Sequence, residues 1–190
     1  MSAKQAPANR SLIGPFDITE VDASAGYIDF GSILLPANEQ LQIRLDLAEG
    51  TDRIIALSID NADSVLQLQA FAAPKTDGVW ESIRKQLVQA AQAQGGSATE
   101  QMGTFGNEVF TEIPGASGVR HARIVGIDGP RWFLRGVIGG AAVVDSATAV
   151  LIDAIFRKVV VNRGEDAVPP RDLLPLKLPA GVVLPPRTSK

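Results

Sequence analysis

The segment GIDGPRWFLRG, residues 126–136, decides how this chain folds. Asp128-Gly129 is a hairpin signal, because Gly takes positive φ freely and Asp bonds to nearby backbone. Pro130 has no N–H to give to a two-residue turn, which predicts a longer loop spanning about Ile127 to Arg131. Beyond the loop, side chains alternate between two faces of a strand. Trp132, Leu134 and Ile138 share one face; Arg131, Phe133, Arg135 and Val137 share the other. The Trp132 face is the candidate core, packed against a helix that carries Trp80. The arginine face stays open to two readings. Its guanidinium groups either meet Asp and Glu of neighbouring strands or hold a carboxylate or phosphate bidentately.

Working outward, LQIRLDL (41–47) alternates apolar and polar residues with a period of two, as a half-wet strand does. RIIALSI (53–59), SVLQLQAFAAP (64–74), EVFTEIP (108–114), HARIVGI (121–127) and RWFLRGVIG (131–139) read as further strands. GYIDFGSILLP (26–36) reads as one or two short strands broken at Gly31. In DGVWESIRKQLVQAAQAQGG (77–96) the period changes to that of an amphipathic helix, with Thr76 or Asp77 as cap and Gly95-Gly96 as stop. A second helix follows Asp145 or Ser146 and runs into a short Val159–Val161 strand. Residues 97–107 read as a polar loop.

The class is therefore α+β: a largely antiparallel sheet of about six to seven strands with two main helices. Residues 26–164 form a single domain on this reading, behind an N-terminal tail (1–25) that is partly docked. Residues 165–190 hold six prolines and form an extended Pro/Leu-rich arm. Leu173, Leu174, Leu176 and Leu178 are too apolar for a solvated linker, so the arm is expected to pack on its own domain or on a partner.

The 190 residues carry a net charge of −3, which disfavours a nucleic-acid binder. The absence of cysteine excludes thiolate catalysis and thiolate metal sites. No apolar run reaches the length of a membrane span, and the chain is read as soluble and cytoplasmic. His121 is the single histidine, so a His-based metal site is excluded and no metal or cofactor is implied. Any Ser-His-Asp triad has to use His121, and no nucleophile elbow accompanies it. At the start of a strand it reads first as a surface or hydrogen-bonded structural residue. Glu108 and Glu112 read as a solvated strand face.

GPFDITEVD, GYIDFGSILLP, LQLQAFAAPKTDGVWESIR, DGPRWFLRG and PRDLLPLKLP together resemble an uncharacterised actinobacterial family, domain of unknown function 3710. That resemblance implies no activity or catalytic residue. At the level of fold, Ala73-Pro74 before a helix and Trp132 to Gly136 within a strand run are similar to the Mog1/PsbP-like α/β/α sandwich, whose members mostly bind other proteins. The functional expectation is a non-enzymatic protein-binding or adaptor module, acting on an unknown partner or by self-association. The alternative is a small-anion-binding protein or enzyme using Arg131, Phe133 and Arg135, with His121 nearby.

Overall fold

Trp132 and Phe133 are consecutive, and both are completely buried. Neighbouring residues of a strand point to opposite faces, so their strand needs a packed layer on each side. The computed structural model describes residues 2–182 and supplies both layers. Its strands are β1 (Phe16–Asp17), β2 (Tyr27–Asp29), β3 (Ile33–Pro36), β4 (Gln42–Leu47), β5 (Ile54–Asn61), β6 (Ser64–Ala72), β7 (Ser97–Gly103), β8 (Gly106–Gly115), β9 (Gly118–Asp128), β10 (Trp132–Gly140) and β11 (Val160–Val161). Its helices are α1 (Arg10–Ile13), α2 (Trp80–Ala93) and α3 (Ser146–Arg157).

Seven strands form one antiparallel sheet in the order β4-β5-β6-β10-β9-β8-β7. This is the α+β class expected from the sequence. On one face, Trp132, Leu134 and Ile138 join Leu66, Leu68 and Ala70 of β6 beneath Ile152 and Phe156 of α3. The same cluster takes in Ile33, Leu35 and Val161 of a second, four-stranded sheet, β1-β11-β3-β2. On the other face, Phe133 stacks on Trp80 of α2 with ring centroids 5.6 Å apart.

This arrangement corrects the sequence reading of the two tryptophans. Trp80 packs on the Phe133 face, and Trp132 lies on the opposite one, where its indole N–H donates to the Asp17 carboxylate at 2.8 Å. Gly126, across the ladder from Arg135, makes room for the Trp80 ring. A Cβ there would stand 2.5 Å from that ring and 2.8 Å from Phe133.

The loop between β9 and β10 is longer than two residues, as Pro130 requires, and Gly129 N–H closes it on the Trp132 carbonyl at 2.8 Å. Asp128 does more than turn the chain. Its buried carboxylate accepts from Val79 N–H at 2.9 Å and Gln5 N–H at 3.0 Å. It therefore caps α2 from a distant part of the sequence, and the local candidates Thr76 and Asp77 are not used. The N-terminal segment lies on this junction: Gln5 C=O accepts from Asp128 N–H at 2.9 Å, Gly78 N–H donates to Ser2 C=O at 2.8 Å, and Lys4 donates to the Gly129 carbonyl.

Residues 97–103, read as loop, form the outermost strand β7. All but one or two of its side chains face water, so no alternation of apolar residues marks it. At the other side, β5 leaves β6 after the pair Leu57 and Leu68. The Gln69 side chain reaches the Ile55 carbonyl at 3.0 Å where the ladder opens. The proline-rich segment takes over from there. Leu174 N–H donates to Ala70 C=O at 2.8 Å, Arg171 N–H to Ala72 C=O at 2.7 Å, and Ala72 N–H to Asp172 C=O at 2.9 Å. Leu174 is wholly buried, Leu173 bridges to Phe71, Leu176 bridges to Gly31, and Leu178 packs on the core margin.

Replacing Gly126 by Val forces a branched side chain into the Trp80–Phe133 contact. We predict a loss of about 1–3 kcal/mol in urea unfolding, the range typical of overpacked cores. Unchanged stability would mean that the two rings are not in fixed contact across Gly126.

Candidate functional site

α2 lies over β7, β8 and β9 and leaves part of the sheet uncovered between itself and β6. The gap is a cleft of about 280 Å³. Its wall is one stripe of α2, with Val79, Ile83 and Leu87 at helical spacing. Phe71 of β6 and Phe133 of β10 form the floor, tilted rings with centroids 6.0 Å apart. Gln86 and Ala90 of α2 and two guanidinium groups, those of Arg135 and Arg171, complete the lining.

Arg135 projects from the middle of β10, between Gln69 of β6 and Gly126 of β9. Its Nη2 donates to the Gln69 side-chain oxygen, and its Cζ lies 5.3 Å from the centre of the Phe71 ring. Its Nε is buried and has no hydrogen-bond partner among the described residues. Burial in this apolar setting lowers its pKa from the usual arginine value, because the cation is only partly solvated. Arg171 arrives from the proline-rich segment. Its backbone is left-handed, with φ 74°, and its Nη2 donates to Ser82 Oγ of α2 at 3.0 Å. A left-handed Arg is conformationally costly and is held here by its backbone bond to Ala72.

The four residues singled out from the sequence are thus distributed unevenly. Phe133 and Arg135 share the cleft. Arg131 lies in the exposed loop before β10 and makes no side-chain hydrogen bond or ion pair among the described residues. His121 is exposed on β9, with Nδ1 3.5 Å from the Glu112 carboxylate opposite it. Being five residues from Gly126, it sits about 17 Å along the strand from the position opposite Arg135. It also lies on the other face of the sheet, among residues facing the start of α3. The cation that joins Arg135 is Arg171, and nothing local in PPRDLLP marks it. Its role depends on where the segment docks.

The second polar group that the sequence reading missed is under α3. Glu108, taken as solvated, is 1% exposed. Its carboxylate accepts from Arg123 Nε at 2.7 Å and from Phe105 N–H at 3.1 Å. Arg123 Nη1 donates to Asp153 of α3 at 2.7 Å. Gly103 leaves room for this, since a Cβ there would be 2.3 Å from the Glu108 carboxyl carbon. Burial pushes the Arg123 pKa down, but the hydrogen bonds and charges of Glu108 and Asp153 outweigh it and raise the value above that of a free arginine. Glu112 does face water, so the two glutamates on one strand face have opposite fates. The difference is cross-strand: Glu108 is covered by α3, and Glu112 lies beyond its end.

This triad braces β8 and β9 to α3. Removing the central cation leaves two buried carboxylates without a counter-charge. Arg123→Met is expected to cost about 3–5 kcal/mol in urea unfolding, as for other broken buried pairs. A cost below about 1 kcal/mol, the range of exposed pairs, would show that the triad is open to water.

No described helix is long and apolar enough to cross a membrane. A comparison with curated proteins gives no match. Residues 14–183, which include both the hairpin at Asp128 and the segment carrying Arg171, match the family described as protein of unknown function (DUF3710), and the chain belongs to that family.

Proposed function

We propose that this chain is a binding protein whose ligand is a small carboxylate with an apolar body, held in the cleft between α2 and strands β6 and β10. One observation carries the reading: Arg135 has a buried Nε without an acceptor, at the floor of an apolar cleft. A buried donor left unpaired costs about 1–3 kcal/mol, and an anionic acceptor relieves that cost. Phe71, Phe133, Ile83 and Leu87 favour an aromatic or aliphatic body over a bare inorganic anion. Arg171 supplies a second cation from the opposite rim. Leu174 of the proline-rich segment is wholly buried in its own domain, which favours the cleft over that segment as the place of binding.

The test is a thermal-shift series with decanoate, phenylpropionate, inorganic phosphate and a peptide ending in a free apolar carboxylate. A ligand at a hundredfold its Kd stabilises by about 2.7 kcal/mol. For a chain of this size that raises Tm by about 5–10 °C. The expected result is a rise with the two organic acids, none with phosphate, and loss of the rise in Arg135→Gln with its circular dichroism unchanged. A response to the peptide alone would replace the small acid by a protein terminus as the ligand. Equal responses in the wild type and Arg135→Gln would refute the site.

A further inference from the structure

The cleft between α2 and strands β6 and β10 offers two positive charges and no negative one. Arg135 and Arg171 are both in its lining, and no aspartate or glutamate is. Their hydrogen-bond acceptors are neutral, the Gln69 amide oxygen and the Ser82 hydroxyl. Buried arginines elsewhere in the chain meet carboxylates. Arg84 Nε donates to Glu100 at 2.8 Å, and Arg123 is held by Glu108 and Asp153. A single carboxylate on Arg135 would leave the Arg171 charge uncompensated.

The two charges are held apart. Arg135 stands opposite Gln69 on the ladder, whereas Arg171 N–H is bonded to Ala72 C=O, three residues further along β6 and so about 10 Å away along the strand. Phe71 and Phe133, paired across β6 and β10, occupy the interval. Arg171 crosses the cleft from that backbone bond on β6 to Ser82 on α2. Burial, and not a neighbouring cation, lowers the Arg135 pKa, as this separation requires. The order along the cleft is therefore cation, aromatic pair, cation. A phosphate monoester carries both its charges on one group and matches one end only. An acid with a carboxylate at each end of an apolar chain matches all three parts.

We infer that the ligand is a linear dicarboxylate and that Arg171 is the residue that selects it over a monocarboxylate. This assignment rests on the carboxylate site proposed above. One carboxylate accepts from Arg135 Nε, the chain lies over Phe71 and Phe133, and the second carboxylate accepts from Arg171. The proline-rich segment then takes part in recognition, because its backbone bonds to Ala72 set where the second cation stands.

Isothermal titration calorimetry at neutral pH compares decanedioate with decanoate, which share a chain length and differ by the second carboxylate. Decanedioate is expected to bind the wild type about tenfold more tightly, the factor equivalent to about 1.4 kcal/mol. In Arg171→Gln the ratio between the two acids is expected to fall to about one, and in Arg171→Lys, which keeps the charge, to recover in part. Arg135→Gln is expected to lose both acids. Butanedioate, too short to reach both cations, and decyl phosphate, charged at one end, are expected to bind less tightly than decanedioate. Equal binding of decanoate and decanedioate by the wild type would overturn the dicarboxylate and leave the carboxylate site standing. Decyl phosphate binding more tightly than decanedioate would overturn it too. A preference that persists in Arg171→Gln would overturn the role of Arg171. Binding of neither acid would overturn the site and the dicarboxylate together.

Discussion

Two adjacent aromatic residues, Trp132 and Phe133, are buried on opposite faces of one strand, and this forces the three-layer build of the molecule. A strand with only one covered face would leave a large ring in water. Each layer is then fixed by a polar contact aimed at the same hairpin. Asp17 of β1 holds the Trp132 indole from below, and Asp128 holds the start of α2 above Phe133. Gly126 completes the fit by omitting a side chain where Trp80 needs space. The hairpin is therefore the point at which both layers are registered against the sheet.

Most of the strands and both main helices were legible in the sequence because they follow local periodicity. The alternation in LQIRLDL and the helical spacing from Val79 to Ala91 report on burial directly, and the structure has a strand and a helix there. What stayed hidden depended on residues distant in sequence. Asp128 looks like a turn residue, and nothing near α2 says that its cap comes from elsewhere. Glu108 and Glu112 look equivalent until α3 covers one of them. β7 shows no period because the face it turns to α2 carries Ala98 and Glu100, with no large aliphatic or aromatic side chain between them, and the rest of the strand is exposed. At the cleft, Phe133 and Arg135 were visible as a strand face, whereas Arg171 joins them only after the chain has folded back across β6.

Arg123, which is buried, and Arg135, which is half-buried, show how differently a fold treats similar groups. Arg123 makes four hydrogen bonds to two carboxylates and is electrostatically complete. Arg135 has one amide oxygen and the face of an aromatic ring, with its Nε unmatched. A satisfied buried charge rigidifies its surroundings, while an unsatisfied one stores a preference for an incoming acceptor. That asymmetry, more than any motif, distinguishes the brace from the position proposed to bind.

The backbone bonds from residues 171–174 to Ala70 and Ala72 also bear on the order in which the protein is made. Ribosomal synthesis delivers β6 long before this segment. In the interval, Ala70 and Ala72 carry unpaired backbone groups beside an apolar surface, which is the kind of template that invites strands from other chains. The segment that finally covers them is unsuited to extend the pairing further, since Pro169, Pro170 and Pro175 lack an N–H. Its arrival therefore terminates the growth of the sheet as well as completing it. The nascent chain is most exposed to intermolecular aggregation in the window before that segment emerges.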